Sequence, residues 1–216
     1  MPTVDLASPE VPKTLAWDGD AFRLSIAPAC LRTVAGSTFY LTAALLRAPG
    51  FDEPIEVAID SSRGIQTAPL PAPPDRPTFR VHIDSTSGTE RRILIVRAFA
   101  GSRIREVPFH LDLQALVVRL AEPDALLAAG GSATLAVRIL RAPTLEGPVG
   151  FSLQGLDPEC GLEASFLPAS TFGESAYLRL VAARSAPAAD HSLIVSARCG
   201  EVVTTSPFRV EVLGPG

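Results

Sequence analysis

The chain has 216 residues, 47% hydrophobic and 19% charged, with 20 prolines, 16 glycines and a formal net charge of −4. At roughly 100–150 residues per domain this makes one or two domains, each able to bury a core, and the apolar content excludes intrinsic disorder. The mild acidity removes any electrostatic case for nucleic acid or a polybasic membrane contact, and the uncharged runs Thr33–Leu46 and Ala125–Val137 fall short of the ~20 residues of a membrane-spanning helix.

In chain order, residues 1–21 form a leader carrying Val4, Leu6, Val11, Leu15 and Trp17. Its first ten residues lack a basic region followed by an apolar one, so they do not read as a secretory signal. An extracellular location if a leader was trimmed, and otherwise a cytoplasmic or particle-associated one, both stay open. Asp18-Gly-Asp20 reads as a turn into the first strand, because two carboxylates are too few for a calcium loop of five or more oxygen ligands.

From Phe22 onward, short runs of period 2 alternate with Gly and Pro, the pattern of strands and turns. The predicted strands are Phe22–Ile26, Thr38–Leu46, Pro54–Ile59, Thr78–Ile83, Arg91–Phe99 and Arg103–Leu113, then Leu116–Leu120, Ala133–Leu140, Val149–Leu153, Leu162–Phe166, Ala176–Ala182, His191–Ala197 and Val202–Leu213. Ala121–Ala129 is helix-tolerant in composition, but Pro123 and Gly130-Gly131 predict a loop. Pro108 and Pro207 fall inside predicted strands and call for an edge or a bulge, since proline cannot donate to a ladder.

The runs repeat. Val34-Ala-Gly-Ser-Thr-Phe-Tyr-Leu-Thr-Ala-Ala-Leu-Leu-Arg-Ala-Pro49 matches the segment Ala128–Pro143, with Leu-Arg-Ala-Pro in both copies 94 residues apart. Downstream, Ile95–Gly101 matches Ile194–Gly200 and Val107–Leu113 matches Ser206–Val212 at an offset of 99, so the second copy is five residues longer in its middle. The predicted organisation is the leader 1–21 packing on domain 1, domain 1 at 22–113 and domain 2 at 116–216. Both domains are all-β, antiparallel β-sandwiches.

Comparing the copies separates core from surface. Leu94, Val96 and Ala98 align with Leu193, Val195 and Ala197 as a shared inward face. The opposite face is solvated in the second copy, with Ser192, Ser196 and Arg198 around Ile194. In the first copy it carries Ile93, Ile95 and Phe99 around Arg97, and three large apolar groups need a cover. We expect the leader to lie across Ile93, Ile95 and Phe99, the alternative being an interface to another chain. Arg91, Arg92, Arg97, Arg103 and Arg105 gather on the same hairpin. They are read either as a docking patch or, with Glu90 and Glu106 among them, as a solvated strand pair guarded against aggregation. Ile93, Ile95, Phe99, Arg97, Arg103 and Arg105 are therefore the candidate protein-interaction residues.

The second copy presents in order Gly130-Gly-Ser-Ala-Thr-Leu, Gly147-Pro-Val-Gly-Phe-Ser-Leu-Gln-Gly-Leu-Asp-Pro, Ala164-Ser-Phe-Leu-Pro-Ala-Ser, Tyr177-Leu-Arg-Leu and His191-Ser-Leu-Ile-Val-Ser-Ala. This resembles the tandem immunoglobulin-like β-sandwich repeats of bacterial multidomain proteins, often appended to secreted enzymes and surface proteins. The resemblance covers the second copy well and the first more loosely, through the repeat. It implies two tandem immunoglobulin-like domains acting as spacers, rigid arms or adhesion modules, and it carries no catalytic residues.

Reactive chemistry finds little to work with. Lys13 is the only lysine and there is no asparagine. Cys30, Cys160 and Cys199 are odd in number, so they read as buried or half-buried thiols, a Cys160–Cys199 bridge being the alternative. His82, His110 and His191 sit in no Gly-x-Ser-x-Gly elbow, and the cysteines and histidines lack zinc-ligand spacing. No catalytic residue, metal or cofactor is expected. A protein partner is expected, with no nucleic acid and no membrane insertion. The expected function is a non-catalytic structural, spacer or protein-interaction module, the alternative being a decoration protein of a large assembly such as a virion or tail particle.

Overall fold

Strand after strand buries every second side chain, and this period of two builds both halves of the molecule. The computed structural model of the chain describes residues 3–4, 20–60 and 62–214. It divides into two units, Met1–Gln114 and Ala115–Gly216.

The first unit contains β1 (Thr3–Val4), β2 (Phe22–Ile26), β3 (Cys30–Val34), β4 (Thr38–Arg47), β5 (Glu56–Asp60), β6 (Ile65–Leu70), β7 (Thr78–Ile83), β8 (Arg91–Ala100) and β9 (Arg103–Gln114). One sheet has the order β2–β4–β7–β6, with β1 running parallel to the first residues of β4. The other is β3–β9–β8–β5, in which β3 runs parallel to β9 and the remaining pairs are antiparallel.

The second unit contains β10 (Leu116–Leu120), β11 (Asp124–Ala128), β12 (Ser132–Arg141), β13 (Val149–Gln154), β14 (Leu162–Leu167), β15 (Ser170–Thr171), β16 (Ser175–Ala182), β17 (Ala189–Cys199) and β18 (Val202–Leu213). Its sheets are β10–β12–β16–β14 and β11–β18–β17–β13–β15, with β11 parallel to β18. The same order therefore occurs twice, and β15 lies in the stretch where the second copy is longer. In each unit the opening segment pairs first with one sheet and then crosses to the other. Two such sheets make an immunoglobulin-like sandwich, so the fold is all-β, with two tandem immunoglobulin-like domains. No helix among the described residues is long and apolar enough to cross a membrane.

The inward face is the one shared by the copies: Leu94, Val96 and Ala98 on β8, and Leu193, Val195 and Ala197 on β17, are fully buried. On β16, Ala176, Leu178, Leu180 and Ala182 point in while Tyr177 and Arg179 point out. Each fully buried aliphatic side chain contributes about 1.5–3 kcal/mol relative to exposure. The second unit has one continuous core around these residues. The first has a main core and a smaller cluster of Phe22, Leu45, Ala98 and Ala100 at one end.

The repeated Leu-Arg-Ala-Pro has a mechanical reason. Arg47 donates to the carbonyl of Glu53, and Arg141 donates to that of Gly147. The next alanine donates to the residue before the first strand, Ala48 to Ala21 at 2.9 Å and Ala142 to Ala115 at 2.8 Å. The motif thus ties off the β4–β5 and β12–β13 connections identically. The hairpins also repeat: Ala100 pairs with Arg103 and Cys199 with Val202, leaving two-residue loops Gly101-Ser102 and Gly200-Glu201. The glycines have φ of 57° and 58°, while no described non-glycine residue has positive φ, which makes both turns type II′.

Both in-strand prolines lie where no ladder bond is lost. His110 donates its backbone N–H outward to Ala29, and Arg209 to Pro123. Two residues earlier, the nitrogens of Pro108 and Pro207 face the same way, along an edge where β3 and β11 have not yet begun.

The structure corrects several sequence expectations. The predicted loop at Ala121–Ala129 contains β11, because parallel pairing with β18 outweighs the helix-tolerant composition. Strands β3, β6 and β15 were likewise absent from the predicted set. Cys30 is exposed, since β3 turns Leu31 and Thr33 inward; Cys160 and Cys199 are buried, and all three are free thiols. Ser196, expected on the solvated face, is buried between Ser152 on β13 and Thr205 on β18. The proposed cover of Val11, Leu15 and Trp17 lies outside the described residues, and the backbone of Thr3–Val4 pairs with β4 of the opposite sheet.

Two substitutions test this account. Gly200→Ala, with no atom within 4 Å of the added Cβ, should destabilise by about 1–2 kcal/mol through its backbone alone. Leu178→Ala should cost about 2–5 kcal/mol through lost burial and a cavity. Urea denaturation reads both, and a Gly200→Ala variant as stable as the parent would refute the turn assignment.

Candidate functional site

The candidate residues lie on the β8–β9 hairpin, but they do not form one patch. Across a two-residue turn, odd-numbered residues of β8 face the same way as even-numbered residues of β9: Ile93 pairs with His110, Ile95 with Pro108, Arg97 with Glu106 and Phe99 with Ile104. These pairs make the outer face. Arg103 and Arg105 pair with Ala100 and Ala98, and so start from the inner face.

There they close the open end of the sandwich. The Arg105 guanidinium stands 5.9 Å from the Phe22 ring centroid and pairs with Asp20, while that of Arg103 stands 5.5 Å from Phe51 and pairs with Glu53 at 3.3 Å. Phe22 and Phe51 stack with centroids 6.0 Å apart. The result is an arginine–aromatic lid over the smaller core cluster.

On the outer face, Arg97 lies between Glu106 and Asp60 and pairs with both. The hydrogen bond it donates to Glu106, aided by Asp60, holds its guanidinium above the ordinary value, so the group stays charged and is met by carboxylates of its own sheet. Around this ion cluster Ile95 and Phe99 are half-buried, while Ile93 and Ile104 are 56% and 51% exposed. An apolar stripe therefore flanks a paired charge, which suits contact with a protein better than capture of an ion.

Sequence reasoning missed the strand beside this stripe. With β3 in place, two rows cross the sheet: Cys30, His110 and Ile93, then Arg32, Asp112 and Arg91. They line an open groove of about 480 Å³, with Arg32 paired to Asp112 at 3.4 Å. The alternation of Leu31 and Thr33 was the available signal. The other histidines lie elsewhere: His82 on β7 shares a 3.0 Å hydrogen bond with Thr38, and His191 on β17 sits opposite Val210. No group of three or more His, Cys, Asp or Glu among the described residues could hold a metal ion.

No family model matches the chain, and no curated protein matches it. Among solved structures it is similar to the endo-fucoidan hydrolase MfFcnA4 from glycoside hydrolase family 107, at 8% identity, 96% of this chain, 31% of that one and a TM-score of 0.38. It is similar to domains 4 and 5 of the S-layer protein SbsC, at 12% identity over 57% of this chain and 66% of that one, TM-score 0.36. It is also similar to titin domains z1z2 in complex with telethonin, at 18% identity over 89% and 96%, TM-score 0.32. The chain spans about a third of the hydrolase. The immunoglobulin-like assignment stands on strand order.

If the two arginines serve as a lid, Arg105→Ala should lower stability by about 0.5–1 kcal/mol, read by thermal or urea unfolding. An unchanged midpoint would return Arg105 to the docking candidates. The native protein should also react rapidly with one equivalent of a thiol reagent, at Cys30, and with three after denaturation.

Proposed function

We propose that the chain is a non-catalytic structural and protein-interaction module, whose two immunoglobulin-like units hold the outer faces of their sheets open to a protein partner. The observation that carries this reading is how the polar side chains are used. Arg97, Arg103 and Arg105 are taken up in pairs with Asp60, Glu106, Glu53 and Asp20, while large aliphatic groups such as Ile93 and Ile104 stay in solvent. A catalytic site uses its charges the other way, leaving them poised and sheltered in a cleft. Neither a cofactor nor nucleic acid nor membrane insertion has a part in this reading.

A photo-crosslinking side chain placed at position 93 tests it in the cells that make the protein. Discrete protein adducts are expected from position 93 and not from position 163, which is exposed on the other sheet of the second unit. Equal or absent adducts at both positions would defeat the reading.

A further inference from the structure

The groove beside β3 has a counterpart. In the second unit, the rows Asp124, Arg209 and Ser192, then Leu126, Glu211 and Asp190, occupy the equivalent places on β11, β18 and β17. Together Asp124, Leu126, Arg209 and Glu211 border an open groove of about 370 Å³. Duplication thus produced the same concavity twice, between the same three strands of each sandwich.

The two copies have diverged in charge and kept one feature in common. Each holds a single prominent aliphatic side chain, Ile93 at 56% exposure and Leu126 at 62%. Among the described residues, Arg63, Arg91 and Arg92 stand around Ile93 together with Arg32, against the carboxylates Asp112 and Glu90. Around Leu126 stand three carboxylates, Asp124, Asp190 and Glu211, against one arginine, Arg209. Arg209 pairs with Asp190 at 2.6 Å, and its charged form is favoured first by that hydrogen bond and further by Glu211 and Asp124. Even with that pair formed, the second groove keeps an acidic excess while the first is basic.

We infer that a second copy of this chain is the partner: the basic groove around Ile93 of one molecule docks on the acidic groove around Leu126 of another. This rests on the interaction-module reading above and names its partner. The aliphatic side chains would supply the desolvated centre of the contact, and the opposed charges its rim, where they govern orientation and association rate. The interface is heterologous, so each molecule offers one groove of each kind, and association closes or propagates according to geometry.

Sedimentation velocity of the full-length chain at low ionic strength tests the inference. Concentration-dependent dimers or longer species are expected, and they should weaken between ~20 mM and ~500 mM salt as the rim charges are screened. Arg91→Glu alone and Glu211→Arg alone should each weaken association at least fivefold. The variant carrying both, whose charges match again, should regain most of it, an outcome that a merely structural role for either residue would not produce. Ile93→Ser or Leu126→Ser should weaken it at every salt concentration, with circular dichroism confirming the fold. A chain that stays monomeric throughout, or a double reversal no better than the singles, overturns the inference. The interaction-module reading would survive that result if position 93 still gave adducts with other proteins.

Discussion

In both units the opening segment is shared between two sheets, and the outer faces depend on that switch. β2 pairs with β4, then β3 crosses and runs parallel to β9; β10 pairs with β12, then β11 crosses to β18. A strand added in this way covers half of an exposed sheet edge and sets a third row of side chains beside the hairpin. Without β3 and β11 the hairpins would still bury Leu94 and Leu193, but neither groove would have its second wall. The switch is thus where packing becomes surface.

Much of the architecture was legible in the sequence, and its limits have physical causes. Thr78–Ile83 and Val202–Leu213 match the observed strands because each alternates cleanly, and Leu116–Leu120 matches as a short, β-branched apolar run. β11 was missed because Asp-Ala-Leu-Leu-Ala carries no β-branched residue, and its strand character comes from a partner about 85 residues away in sequence. The candidate site was half legible. Ile93, Ile95, Arg97 and Phe99 do share a face, whereas Arg103 and Arg105, grouped with them because they share the hairpin, start from the opposite one. A two-residue loop exchanges odd for even, and only the loop length says so.

The repeat separates what the fold requires from what the surface is free to change. Arg47 and Arg141 make the same bond to the same carbonyl, and Gly101 and Gly200 make the same turn. The positions that differ most are outward ones: Cys30 against Asp124, Arg32 against Leu126, Ile93 against Ser192, Arg91 against Asp190. Burial and backbone geometry held the first set in place after duplication, while solvent-facing positions could take any residue compatible with a strand.

The placement of Pro108 and Pro207 has a consequence for crowding. Ahead of the residues that β3 and β11 pair with, no described strand lies along the outer edge of β9 or β18, and an open edge is what lets separate molecules zip together into fibrils. Each proline withdraws a hydrogen-bond donor from that edge, so an arriving strand meets a gap in the row it would have to match. Many copies can then gather at high local density and still meet broadside, as folded bodies, without merging into a common sheet.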